Sequence, residues 1–205
     1  MGARRTKASP RKRPQQQRSA ATVDAILEAS ARTFRECGFA KASVNAIAER
    51  AGVSVGSLYQ YYPSKDALLA ALAERHTNDA LDLLERTFEE VKAAPLEVAV
   101  RTVVERMIAA HADPLHQVLA LGLDELGAAT SLQAAVDERA GAAVTAFLVE
   151  RQHEVRTRTP ALTALLVVRA IDLLTHAAIE RHPESLGDGS LASELSALAL
   201  GYLRA

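Results

Sequence analysis

From Arg18 to the C-terminus, apolar residues return at three- and four-residue spacing in one segment after another, while the alternation expected of half-buried strands is nearly absent. That recurrence predicts an all-α chain. The first segment, Arg18 to Cys37, carries Val23, Leu27, Ser30 and Phe34 on one stripe, with Ile26 beside it, and stops at Gly38, a residue free to take the left-handed conformation. Ser43 then caps a short helix on Val44, Ile47, Ala48 and Ala51, ended by Gly52. Ser54 caps another short helix, stopped by Pro63, and Ser64 caps a longer one running from Lys65 to about Lys92. Beyond Pro95 the helices lengthen and are separated by Asp113-Pro114, Gly127 to Ser131, Thr159-Pro160 and a Pro183 to Ser190 loop, which makes about nine helices in all.

Composition fits this picture. Apolar residues make up 49% of the 205, but aromatics only 4% and Trp is absent, so the core must be built of Ala, Leu and Val. The formal net charge of -1 hides an asymmetry: residues 1 to 65 carry twelve Lys+Arg against four Asp+Glu, a balance of +8, and residues 66 to 205 carry twelve against twenty-one, a balance of -9. A basic head on an acidic body points to a polyanion at one end, either nucleic acid or an anionic membrane. Residues 1 to 17, with Arg11, Lys12 and Arg13 and almost nothing apolar, are expected to be a disordered basic arm. A single cysteine, Cys37, excludes an intramolecular disulfide framework and a Cys-rich zinc site, and fits a reducing cytosol. No uninterrupted run of about eighteen apolar residues exists, so no membrane span is expected; the capped helix pair and the placement of Tyr59, Tyr61 and Lys65 narrow the polyanion to DNA and leave no membrane partner.

Two short capped helices joined through Ala51-Gly52-Val53 form a helix-turn-helix, which sets the start of its second helix into the DNA major groove. Three of the four tyrosines, Tyr59, Tyr61 and Tyr62, fall on or beside that second helix. Tyr62 shares a face with Leu58 and is expected in the core. A helix this short cannot bury three rings, so Tyr59 and Tyr61 are expected outside, where phenol hydroxyls suit phosphate oxygens.

Residues Ser43 to Leu69, SVNAIAERAGVSVGSLYQYYPSKDALL, closely resemble the DNA-binding domain of the TetR family of bacterial transcriptional regulators, a likeness reaching back to about Ile26. The resemblance implies that Ser43 contacts phosphate, that Ser54, Val55, Gly56 and Ser57 face the groove, that Tyr59 reaches bases or backbone, and that Tyr61 and Lys65 meet phosphates. Arg18 and the arm before it would lie along the DNA or enter the minor groove. Val55 stands where the family often has lysine, Tyr61 where it often has histidine and Tyr62 where it often has phenylalanine, which leaves the operator sequence open.

The resemblance also implies a three-helix head, residues 18–65, on a larger ligand-binding and dimerisation domain, residues 66–205. The expected function is a ligand-responsive regulator: a repressor that binds a palindromic operator as a homodimer, is released by a small-molecule effector, and needs no cofactor. The segment Ala161 to Ile179 is apolar nearly all round and expected to be buried on every side; with the stripe Leu191, Leu195, Leu198 and Tyr202 it would leave a large patch on a monomer. Leu166, Leu173, Leu174 and that stripe are therefore expected at the dimer interface. Arg101, His111, His116, Asp124 and Arg151 are polar residues on apolar stretches and candidates for orienting a ligand. Asp172 and His176, four residues apart, are expected to pair within the interface.

His111-Ala112-Asp113 with His116 resembles a metal set, but no further ligand is identifiable and Pro114 interrupts the segment, so no metal is expected. No G-x-S-x-G or phosphate-cradling glycine loop supports an enzyme. Two rivals remain: an architectural DNA-binding protein without a ligand, and a helical carrier or enzyme that only retains the helix-turn-helix shape.

Overall fold

A computed structural model describes residues 12–125, 127 and 129–204, and among them the chain is helical throughout with no strand. Ten helices follow one another: α1 (Lys12–Lys41), α2 (Val44–Arg50), α3 (Val55–Tyr61), α4 (Lys65–Val91), α5 (Leu96–His111), α6 (Pro114–Glu125), α7 (Ala129–Glu150), α8 (Pro160–Arg181), α9 (Glu184–Gly187) and α10 (Ser190–Arg204). The tenth arises because the Pro183 to Ser190 loop contains one helical turn, α9. α1 starts at Lys12 rather than Arg18, so residues 12–17 are helical where a disordered arm was expected. Arg4, Arg5, Lys7 and Arg11 lie outside the described residues, as does the side chain of Arg18.

The chain divides into two units within α4, between Ala71 and Leu72. In the first, Ile26, Phe34, Ile47, Leu58, Leu68 and Leu69 are fully buried. Gly38 takes φ +74°, breaking α1, and the chain beyond it folds Phe39 edge-on against Phe34 at 5.6 Å between ring centroids. Gly52, at φ +69°, makes the turn between α2 and α3.

In the second unit the core is built mainly on α5, α7, α8 and α10, from Leu96, Val104, Leu148, Ala164, Leu195 and Ala199 among others. Arg139 ties α7 to α4 by ion pairs to Asp82 and Glu85, each 2.8 Å. α8 is long and apolar enough, by length and composition, to cross a membrane. It packs instead on α7, α5 and α10, burying Thr163, Ala164, Ile171 and Thr175.

Within one chain α8 is not buried on all sides, however. Leu162, Leu165, Leu166, Leu173 and Leu174 stand exposed, because α7 and α5 cover only one of its faces. The stripe on α10 divides in the same way. Leu191 and Leu195 are buried in the chain's own core against α5 and are not available to a partner, whereas Leu198 and Tyr202 face outward.

Candidate DNA interface and ligand cavity

The head presents α3 on a short, firmly capped turn. Ser54 Oγ accepts from the Ser57 amide at 3.0 Å and lies 2.8 Å from Ser57 Oγ, which fixes the start of the helix. Leu58 anchors the inner face, fully buried, and Tyr62 is half-buried just past the helix end. Tyr59 and Tyr61 are exposed, and Tyr61 accepts from Ser19 Oγ at 3.4 Å. Gly56 is exposed, and a Cβ built there would meet nothing nearer than Ser54 Oγ at 3.9 Å. Ser43 ends the preceding loop in extended conformation, exposed, and its hydroxyl makes no cap bond to α2.

Lys65 is placed differently from the phosphate contact expected of it. Its ammonium donates to the carbonyls of Phe39, Ala40 and Ala42 at 2.9, 3.2 and 3.4 Å and sits 4.5 Å over the Phe39 ring. An ammonium has three hydrogens, and all are spent on the end of α1. It clamps that end rather than reaching outward.

The second unit encloses a cavity of about 530 Å³ walled by α4, α5, α6, α7, α8 and α10. Most of its wall is apolar, including Leu84, Phe88, Val103, Met107, Leu119 and Val136. Of the five polar candidates, His111, His116 and Asp124 line it. Arg101 and Arg151 do not. Arg101 is exposed and pairs with Glu105, one turn along its own helix, at 2.8 Å. Arg151 is buried, but its guanidinium donates to the carbonyls of Val91, Lys92 and Ala94 and to Glu154, capping the end of α4 while stacking on Phe147.

Polar groups that sequence spacing did not gather complete the cavity wall. His76 from α4 and His176 and Asp172 from α8 join His111 and His116. His76 Nε2 lies 3.3 Å from His116 Nδ1, His116 Nε2 lies 3.2 Å from His176 Nε2, and His111 Nε2 lies 3.0 Å from Asp172 Oδ1. His176 Nδ1 donates to the backbone carbonyl of Asp172, not chiefly to its carboxylate. Asp172 and His176 thus line the cavity, and the contact expected between their side chains is present at 3.7 Å from Nδ1 to Oδ1. Burial first, then the neighbouring imidazoles His111, His76 and His176, push His116 down to about 3, so it is neutral at neutral pH. Burial acts most strongly and raises the Asp172 carboxyl, but the hydrogen bond from His111 and the charges of His111, His176 and Arg169 together outweigh it and leave the group below its usual range. Asp113, which with His111 and His116 resembles a metal set in the sequence although no metal is expected there, accepts from the Leu115 amide at 2.8 Å and caps α6.

This pairing of head and body is matched by known proteins. Residues 26–72 match the family described as bacterial regulatory proteins, tetR family, and residues 95–203 match the tetracyclin repressor-like C-terminal domain. The chain belongs to the TetR family. It is 38% identical over 81 residues to an uncharacterized HTH-type transcriptional regulator of Mycobacterium tuberculosis, a stretch covering 40% of this chain and 42% of that protein. An uncharacterized regulator of Bacillus subtilis, YvdT, is 37% identical over 67 residues, 33% of this chain and 31% of its own. The chain therefore matches less than half the length of these curated relatives.

Solved structures match across nearly the whole fold. A TetR-family regulator from Mesorhizobium loti superposes with a TM-score of 0.74 at 20% identity, over 91% of this chain and 96% of the other. FadR from Bacillus subtilis in complex with stearoyl-CoA gives 0.64 at 18%, over 88% and 98%. The SmeT–triclosan complex gives 0.59 at 24%, over 87% and 91%. The family matches and curated relatives are transcriptional regulators, not enzymes. The chain thus shares the helix-turn-helix head and the C-terminal domain of a family of transcriptional regulators.

Proposed function

We propose that this regulator is a repressor that binds a palindromic operator as a homodimer in the cytoplasm and is released by a small-molecule effector. The observation that carries the reading is the 530 Å³ apolar cavity, walled in part by α4, the helix whose first residue, Lys65, also clamps the head. Its volume is that of a small-molecule site, and a few converging polar groups would orient the occupant. The solved relatives with stearoyl-CoA and triclosan support an organic effector with a substantial apolar part. Because binding energies are linked, an effector that prefers the dimer geometry with low DNA affinity weakens operator binding by its own preference factor. α4 is continuous through the division between the units and is the natural carrier of that coupling.

At the DNA, Ser54, Val55, Gly56, Ser57 and Tyr59 would meet the groove, with Ser43, Tyr61 and Arg18 on phosphates. Lys65 would contribute by holding the end of α1. The exposed leucines of α8, Leu166, Leu173 and Leu174, with Leu198 and Tyr202 of α10, would be covered by the same face of a second copy. Two recognition helices would then lie roughly 34–36 Å apart, one DNA turn.

The test is fluorescence anisotropy with DNA from upstream of the protein's own gene, against scrambled DNA, over a range of salt concentrations and with a small-molecule library. A sequence-specific complex dissolved by a ligand that also raises the protein's melting temperature is expected. Equal affinity for scrambled DNA would favour the architectural alternative.

A further inference from the structure

The histidines of the cavity carry a feature that an organic ligand site does not require. Carbonyl oxygens only accept, so His111 Nδ1, 2.7 Å from the Met107 carbonyl, and His176 Nδ1, 3.0 Å from the Asp172 carbonyl, must each bear a hydrogen. With the hydrogen on Nδ1, Nε2 of His176 is the nitrogen left to accept or to ligate. His111 Nε2 lies 3.0 Å from Asp172 Oδ1 and donates to it, so a metal ion at that nitrogen would take the place of the shared hydrogen. The His176 lone pair faces His116 Nε2 at 3.2 Å. A ring nitrogen tied to a backbone carbonyl, with the other nitrogen turned inward, is how proteins fix imidazoles for metal binding.

One ligand atom from each of His111, His116 and His176 lies within 4.8 Å of the other two. Metal–nitrogen bonds of about 2.0–2.1 Å in tetrahedral geometry put ligand nitrogens about 3.3 Å apart. The His116–His176 separation of 3.2 Å already has that value, and the two sides to His111 are at most 4.8 Å, so closing either takes no more than about 1.5 Å of side-chain movement. We propose that His111, His116 and His176 bind one divalent transition-metal ion of the zinc class within the cavity, with the Asp172 carboxylate beside it offsetting charge. Imidazole nitrogen with one carboxylate suits zinc, cobalt, nickel and copper and is a poor set for magnesium or calcium. Three protein nitrogens leave a coordination position open, and it faces the apolar cavity. An oxygen or nitrogen donor on an entering molecule would fill it.

This proposal deepens the effector-site reading, but the ion's binding is measured without DNA, so the two can fail separately. Untagged, chelator-treated full-length protein is titrated with Zn²⁺ by calorimetry and with Co²⁺ followed by its visible ligand-field absorption. One ion per chain is expected, with the intense absorption of low-coordinate cobalt. His116→Ala and His176→Ala should each weaken Zn²⁺ binding at least about 100-fold, and Asp172→Asn about 10–100-fold. His153→Ala, an exposed histidine away from the cavity, should leave it unchanged. Circular dichroism checks the variants; should His116→Ala misfold, the half-exposed His176→Gln carries the same test.

Absence of stoichiometric uptake at micromolar Zn²⁺, or uptake that survives both histidine substitutions, overturns the site. His111 and Asp172 would then be an imidazolium–carboxylate pair only. Operator binding by the metal-free protein, measured alongside, tests the repressor reading separately.

Discussion

Two cations, Lys65 and Arg151, cap helix ends by the same chemistry. In the sequence Lys65 looks like a phosphate contact and Arg151 like a ligand contact, because a cation beside apolar residues has no visible partner there. Both instead donate to clusters of three backbone carbonyls, at the ends of α1 and α4 respectively. Orphan carbonyls at helix ends are invisible in the residue string, since any residue type supplies one. Lys65→Met keeps the length of the side chain and removes the donors. It is expected to cost about 0.5–1.5 kcal/mol in chemical denaturation, the net scale of hydrogen bonds whose acceptors remain partly open to water. Any loss of DNA affinity should accompany this loss of stability, whereas a phosphate contact would lower affinity and reduce its salt slope at unchanged stability. Arg151→Met should likewise destabilise by about 1–3 kcal/mol or more, since Arg151 also pairs with Glu154 and stacks on Phe147. Effector affinity in the folded fraction should not change, a result that ligand titration at low temperature will check.

At the scale of elements, the sequence was most legible where a backbone requirement selects a residue type, although Ser43, expected to cap α2, makes no cap bond. Gly38 and Gly52 hold positive φ where stops were expected, and Ser54 caps α3. α9 was missed because a single turn bounded by Pro183 and Asp188 has no apolar period to reveal it. His111 and His116 were legible as polar residues on apolar stretches, but their grouping with His76 and His176 was not: the four come from α4, α5, α6 and α8, so no local spacing links them. Gly56 separates a structural from a functional demand within α3. It has no positive φ, and a methyl group fits there, so Gly56→Ala should leave the free protein as stable or more stable by about 0.5–1 kcal/mol. If the open surface over Gly56 is reserved for close approach to DNA, the same change should weaken operator binding about tenfold or more, a loss of about 1.4 kcal/mol. Unchanged melting with lost anisotropy is the expected pair of results; unchanged affinity would remove α3's first turn from the interface.

For the whole molecule, the -1 net charge resolves into a basic first 65 residues and an acidic remainder, so attraction to phosphate is confined to the part containing α3. Only the head's share of that charge serves binding, and a single head has few contacts. In the proposed homodimer two heads would act on one body, joined through the exposed leucines of α8 with Leu198 and Tyr202 of α10. Leu173 is 69% exposed on α8, whereas Leu195, on the buried face of α10, is 4% exposed. Glutamate at the two positions should therefore act in opposite ways. Leu195→Glu buries a charge in the chain's own core and should abolish cooperative folding. Leu173→Glu places a carboxylate on a surface that already faces water in a single chain, so helicity and melting of the monomer should be retained. Across a two-fold axis the same carboxylate appears twice in an apolar contact, and sedimentation velocity should show a monomer at concentrations where the wild type is dimeric. With the heads no longer linked, operator affinity should fall about 100-fold or more, because the second head loses its effective concentration. A Leu173→Glu protein that remains dimeric would move the subunit interface off this face of α8.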